Sequence, residues 1–264
     1  MKKVQVQTRL NNFLNYLKKC DSDVPFCCHI DQDGYMTANV FPDNRNWINH
    51  VRQETDRIFV SKELIVADIY INYVKKLTSL LNVIKSRING DDDLIDMIFH
   101  MGNIGDDNVI LKIDIQHGGY FFTYNCGDPE ILNNKKCTHA RYLTMLKDDD
   151  VLEFEIAAST IKDVEKISTI YNDMVLCVEN ENGKISLSAV VENHFACDVS
   201  QATTNSGFTK GGFQQKLLGM LDKEVSTYKT RIFRINEESN VYAMLIDMGT
   251  DGNDIQLLSI LSRL

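Results

Sequence analysis

Two stretches about 150 residues apart follow one plan. In the first, TRLNNFLNYLKKC (8–20) precedes two alternating runs joined by a polar turn, PFCCHIDQDGYMTANVF (25–41). In the second, STIKDVEKISTIY (159–171) precedes MVLCVENENGKISLSAVV (174–191), whose turn carries Asn182-Gly183. Apolar residues every three or four positions mark a helix, and strict alternation marks a strand. Asp-Gly or Asn-Gly between alternating runs marks a hairpin. A helix-plus-hairpin unit built twice constrains the chain to a duplicated architecture.

The flanking elements repeat as well. VQVQT (4–8) opens the first half and VLEFEIAA (151–158) the second. Thr8 is a candidate cap for the first helix, whose apolar stripe is Leu10, Phe13, Leu14 and Leu17. Residues 42–57 read as polar and irregular, and KELIVADIYI (62–71) as a strand. NYVKKLTSLLNVIKSRI (72–88) is the clearest helix, with Tyr73, Leu77, Leu80, Leu81, Ile84 and Ile88 on one stripe. Strands near 93–99, 109–115 and 119–125 complete the first half. In the second half, the helix at 159–171 turns Val164, Ile167 and Tyr171 inward. HFACDVS (194–200) then reads as a short strand. FTKGGFQQKLLGMLDKE (208–224) reads as a second helix with Phe213, Leu217, Met220 and Leu221 inward, followed by strands at 227–235, 241–248 and 254–262. Between the halves, Gly127, Pro129, Asn133 and Asn134 break the pattern. The expected fold class is α+β, with two topologically repeated domains, 1–126 and 151–264, each of two helices packed on antiparallel sheets. Residues 127–150 are the expected connector.

Composition agrees. A length of 264 residues suits two domains, and 44% hydrophobic with 25% charged residues is globular. No run of 18 apolar residues occurs, so no membrane-spanning helix is expected. The initial lysines are not followed by the apolar block of a secretory leader. Seven scattered cysteines suit free thiols in a reducing compartment, so a cytoplasmic location is expected.

The charge distribution is more informative than its sum. The four predicted helices hold twelve basic and four acidic side chains, a balance of +8, in a chain of net charge −9; the remainder therefore carries −17. Helices 8–20 and 72–88 contain no acid. At about 100° per residue, the side of helix 72–88 opposite the apolar stripe presents Lys75, Ser79, Asn82 and Ser86, flanked by Lys76 and Lys85. The same reasoning places Asn12, Asn15 and Lys19 outward on the first helix, beside Lys18 and Arg9. Lys162, Lys166 and Thr169 face outward at 159–171, and Lys216 and Lys223 border Gln215 and Gly219 at 208–224. Lysine, asparagine, glutamine and serine contact phosphates without reading sequence. The candidate DNA-facing set is therefore Arg9, Lys18, Lys19, Lys75, Lys76, Lys85, Lys162, Lys166, Lys216 and Lys223.

On these residues the chain resembles the two-domain DNA sliding clamps, the family of proliferating cell nuclear antigen and the T-even phage clamps. IVADIYINYVKKLTSLLNVI (65–84) is similar to the family's strand-then-helix segment. FEIAASTIKDVEKISTIYNDMVLCVENENGKISLSAVV (154–191) is similar to the opening of its second domain. The polar excursion at 42–57 and the C-terminus ending on a strand depart from the family pattern. The resemblance implies a homotrimeric ring around duplex DNA, helices lining the hole and sheets forming the wall. It implies tethering of a DNA polymerase, loading by an ATP-driven clamp loader, and a platform for transcription or repair factors. Catalytic residues, cofactors and metal are not expected. Open sheet edges for the next copy are expected at 119–125 and 194–200. In the connector, Ile131, Leu132, Tyr142, Leu143, Met145 and Leu146 either wall a pocket for partner peptides or pin the connector to the sheet. The Asn-, Lys- and Ile-rich usage would suit a phage with an AT-rich genome.

Other classes remain as alternatives. One is a non-ring accessory factor that holds DNA by charge alone. Another is a cysteine- or metal-dependent hydrolase, which needs Cys126, Cys137 and His139, or Cys28 and a histidine, to converge. A third is a structural virion protein of repeated β-domains. Neither GxxxxGK[ST] nor GxGxxG occurs, and DMGTDGNDIQLL (247–258) places Gly249 and Leu258 where a calcium loop needs ligands.

Overall fold

The structure is a computed structural model that describes residues 2–20, 23–60, 65–88, 93–147, 151–168, 170, 175–189, 196–203, 206–236, 240–249 and 253–262. The chain forms two compact units, the first mainly up to Tyr142 and the second mainly from Leu143.

Unit 1 contains β1 (Lys2–Arg9), α1 (Leu10–Lys19), β2 (Phe26–Ile30), β3 (Tyr35–Val40), β4 (Trp47–Glu54), β5 (Phe59–Val60), β6 (Ala67–Ile71), α2 (Val74–Lys85), β7 (Leu94–Ile104), β8 (Asp107–His117) and β9 (Tyr120–Asn125). The connector adds two short helices, α3 (Pro129–Leu132) and α4 (His139–Leu143), with a 3-10 turn (Asn133–Lys135) between them. Unit 2 contains β10 (Leu152–Ala157), α5 (Ala158–Ser168), β11 (Val175–Glu181), β12 (Lys184–Ala189), β13 (Ala196–Gln201), β14 (Lys210–Gln214), a 3-10 helix (Gln215–Met220), β15 (Thr227–Asn236), β16 (Val241–Asp247) and β17 (Asn253–Leu261).

The duplication holds pairing by pairing. In unit 1, β1 pairs β7, β7 pairs β8, and β8 pairs β9. In unit 2, β10 pairs β15, β15 pairs β16, and β16 pairs β17. The second set matches too: β2 pairs β3 and β6, and β3 pairs β4, just as β11 pairs β12 and β14, and β12 pairs β13. All these pairings are antiparallel; a two-residue parallel contact of β6 with β8 is an addition in unit 1. Each last strand is also tied to the same partner. Gly127, after β9, donates to Tyr70 on β6, and Ser262, after β17, exchanges both backbone bonds with Gly212 on β14.

Alternation assigns the faces of unit 1. Phe26, Cys28 and Ile30 on β2 stand opposite Ile71, Ile69 and Ala67 on β6. This is the helix side, where Tyr16 of α1 reaches the Cys28 sulfur at 3.8 Å. Cys27 and His29 stand opposite Tyr70 and Asp68 on the other side, under the connector. Both faces are covered, so these strands read as continuous apolar runs. On the helices, Leu10, Phe13, Leu14 and Leu17 are buried as expected, and Val74, Leu77, Leu81 and Ile84 form the stripe of α2.

Several expectations are corrected. Residues 42–57 are not irregular: β4 runs through them, and its polar Asn49, His50 and Gln53 are buried because the fold supplies partners. The strand read at 62–71 is described from Ala67, with 61–64 outside the described residues. Tyr73 is 70% exposed; α2 starts after it, and Val74 takes its place in the stripe. Thr8 belongs to β1 and does not cap α1; Asp93 does, its carbonyl accepting from Leu10 N and its carboxylate from Asn11 N, both at 2.9 Å. An acidic side chain suits the positive end of the helix dipole.

The largest correction is at 208–224, where β14 and a 3-10 helix replace the expected α-helix. The spacing of Phe213, Leu217 and Leu221 is helical, and all three are buried, but Met220 is only half-buried and Leu218 lies inward instead. Gly211-Gly212 decide the outcome. A Cβ on Gly211 would stand 2.9 Å from the Leu261 Cβ and 3.2 Å from Phe208. The backbone here must pass close to β17, and a strand paired with β11 does so.

Candidate nucleic-acid interface

In unit 1, α1 packs beside α2, so their outer sides form one surface. Lys18, Lys75, Lys76 and Lys85 are exposed on it, with Asn15, Ser79, Asn82 and Ser86 between them, and Lys19 is partly exposed. The helix sequences explain the placement: burying the apolar stripe leaves the remaining positions to water. Lys18, Lys19 and Lys85 also lie in last turns, where a cation suits the helix dipole. Lys75 pairs with Asp23 at 2.7 Å, both well exposed. Arg9 sits at the other end of α1 and donates to the Asp56 carbonyl.

In unit 2, α5 packs on the 3-10 helix, and an open groove of about 530 Å³ lies between them. Lys162, Lys166, Lys216 and Lys223 line it. The four lysines expected from helical geometry therefore share one groove, although one of the two helices is not α. One acid shares it, Glu165, which pairs with Lys223 at 3.5 Å; Asp163, outside the lining, pairs with Lys166 at 3.1 Å. On α5, Ile161 and Val164 are buried and Ile167 is half-buried. Tyr171 and Thr169 lie outside the described residues.

The connector is pinned to the unit 1 sheet. Lys136 bridges Asp68 and Asp107, at 2.7 Å to each, and His29 binds Asp68 at 2.6 Å. Burial disfavours the charge on Asp68, but the hydrogen bonds from His29 and Lys136 and the Lys136 charge outweigh it and hold the carboxyl below its usual range. Buried Lys135 reaches Asp43 at 2.7 Å and the Phe41 carbonyl at 3.2 Å, and Asn39 donates to the Cys137 carbonyl at 2.6 Å. The Tyr142 ring stacks on His50 with centroids 4.0 Å apart. Of the six candidate pocket residues, Leu132 packs with Cys27, Tyr70 and Val109, and Tyr142 is fully buried. Ile131 and Leu143 are exposed, and Met145 and Leu146 partly so. The signal missed in the sequence is the polar set of Lys135, Lys136, His29, Asp68 and His50, which reads as ordinary loop or strand charge until the topology joins it.

The cysteines are mostly buried, un-ionised thiols. Burial pushes the thiols of Cys28 and Cys126 up to about 12, and that of Cys177 up to about 11. A nucleophilic cysteine needs the opposite shift. All seven cysteines are free, and among the described residues no cluster of His, Cys, Asp and Glu is arranged to hold a metal ion. Among the same residues, no helix is long and apolar enough to cross a membrane.

Among the described pairings β9 joins only β8 and β13 only β12, so each offers an edge. β9 is aromatic, with Tyr120 and Phe121 exposed, and β13 is short and polar.

No protein-family model and no curated protein matches the chain in sequence. Solved structures do match in fold. The PCNA of A. fulgidus, solved with the C-terminal region of FEN-1 bound, gives a TM-score of 0.63 at 8% identity over 98% of each chain. The proliferating cellular nuclear antigen of Entamoeba histolytica gives 0.60 at 11% identity, also over 98% of each. A PCNA2–PCNA3 complex from Sulfolobus tokodaii gives 0.59 at 8% identity over 98% of this chain and 99% of that one. A chain whose strand pairings are duplicated between two units, each with helices packed on its sheets, is thus matched end to end by known structures: it has the fold of the DNA sliding clamps.

Proposed function

We propose that the chain is a sliding clamp that encircles duplex DNA and tethers a DNA polymerase. The observation that carries this reading is the segregation of charge: α1 and α2 carry basic and no acidic side chains, exposed on one surface, in a chain of net charge −9. Such a surface attracts phosphates without sequence preference, and its affinity falls with salt. An acidic remainder disfavours DNA elsewhere. The ten DNA-facing residues anticipated above are the proposed contacts.

Three copies would close a six-domain ring, β9 of one copy pairing with β13 of the next. The ring holds DNA by topology, so weak contacts suffice and sliding is retained. A loader from other chains would open it with ATP, and the clamp itself has no catalytic activity. By analogy with the FEN-1 segment bound to the A. fulgidus protein, partner tails would dock near the connector, with Ile131, Leu143, Met145 and Leu146 as apolar contacts and Leu132 and Tyr142 holding the connector in place. Polymerase, repair and transcription factors are the expected partners, in the cytoplasm, of a phage host if the gene is viral.

Solution mass and retention on DNA test the reading together. A trimer that loader protein and ATP place on circular DNA, and that runs off linear DNA, is expected. A strict monomer at high concentration, or equal retention on both forms, overturns the ring and leaves a charge-only accessory factor.

A further inference from the structure

The unit 2 groove contains its own anion. On α5, Lys162, Glu165 and Lys166 are spaced i, i+3 and i+4, which puts the carboxylate on the lysine face. Glu165 lines the groove together with Lys162, Lys166, Lys216 and Lys223. Its side chain is 26% exposed, whereas that of Lys223, 3.5 Å away, is 65% exposed. The carboxylate thus lies deeper than the lysine it pairs with. It also bears on Tyr228, whose hydroxyl is pushed up by burial and by the charges of Asp222 and Glu165. Asp163 pairs with Lys166 from the outer edge, where both are largely exposed and screened. Neither α1 nor α2 of unit 1 contains an acid.

We infer that Glu165 is a built-in competitor for DNA phosphate: it occupies the unit 2 groove in place of the backbone and limits how tightly that unit holds the duplex. The inference rests on the DNA-clamp reading above. A phosphate binding Lys223 must displace the Glu165 carboxylate, so that contact is a near-even exchange. On unit 1 a comparable exchange is needed at Lys75, whose partner Asp23 is 91% exposed and lies outside α1 and α2. Unit 1 then carries most of the salt-dependent affinity, and unit 2 offers a slippery surface suited to sliding.

The test is binding of the full-length protein to a short linear duplex across a salt series. Glu165→Gln keeps the shape and removes the charge, and Glu165→Ala gives an independent version. Both are expected to bind more tightly at low salt, by up to about five-fold, the upper worth of one exposed ion pair. The slope of log affinity on log salt steepens by about one per protomer. Adding Lys223→Gln to Glu165→Gln removes the gain. Asp163→Asn gives a smaller increase. Unchanged or weaker binding by both Glu165 variants, or a gain that survives loss of Lys223, overturns the inference and leaves the clamp reading intact. Loss of loader-dependent retention on circular DNA, or binding indifferent to every lysine substitution, removes the clamp reading and the inference with it.

Discussion

The two units have the same strand pairings and different helical layers. Unit 1 packs a ten-residue and a twelve-residue α-helix side by side, without an acid in either. Unit 2 packs an eleven-residue α-helix on a six-residue 3-10 helix, with acids among the lysines. The sheets define the repeat, since backbone ladders of matched order recur whatever the side chains. The helices are freer: they need only cover one sheet face and turn a polar side outward. Conserving the lysine surface does not require conserving the helix that carries it.

The largest effect should come from the surface where the units differ most. Replacing Lys18, Lys76 and Lys85 together by Gln is expected to lower the salt slope of DNA binding by about three per protomer. Replacing Lys162, Lys216 and Lys223 should lower it by less, and equal losses would erase the distinction between the units. Second, Ser79→Pro, inside α2, removes a helix bond and clashes with the preceding turn, costing about 3 kcal/mol in a denaturant titration. Gly219→Ala should be close to neutral by the same measurement, since nothing lies within 4 Å of the added Cβ. Third, Gly211→Ala should cost about 1–3 kcal/mol, because the new methyl meets Leu261 and the strand cannot retreat without losing its ladder.

The smallest effect sharpens the connector's attachment to unit 1. Burial, with the charges of His139 and Arg52, lowers the pKa of His50 to about 3, so this imidazole stays neutral in the fold. The unfolded chain takes up a proton near pH 6.5 and the folded one does not, so stability falls as pH drops from about 6.5 toward 3. The slope is at most about 1.4 kcal/mol per pH unit from this group. His50→Gln should flatten the window between about pH 6.5 and 5 in equilibrium unfolding. Below that window Asp68 adds its own loss: its depressed carboxyl supports the fold above the ordinary carboxylate range and ceases to as pH falls through its lowered value. Hydrogen exchange across 129–142 should report this release of the connector first.

Much of this molecule is local in origin. Apart from β4 and the segment 208–224, the sequence was enough to read the main strands, the two-fold repetition and the lysine faces of α1, α2 and α5, because apolar periodicity fixes which side of a helix is buried and leaves the rest outside. Hairpins were legible at Asp33-Gly34 and Asn182-Gly183, where glycine takes a positive φ of 82° and 88°. Other features depend on residues far apart in the chain. Asp93 caps α1, His50 is buried under Tyr142, Lys136 joins Asp68 to Asp107, and Leu261 crowds Gly211 so that 210–214 becomes a strand. Each pairs a local preference with a distant partner, and where the partner supplies more free energy than the local period, as between β11 and β14, the period loses.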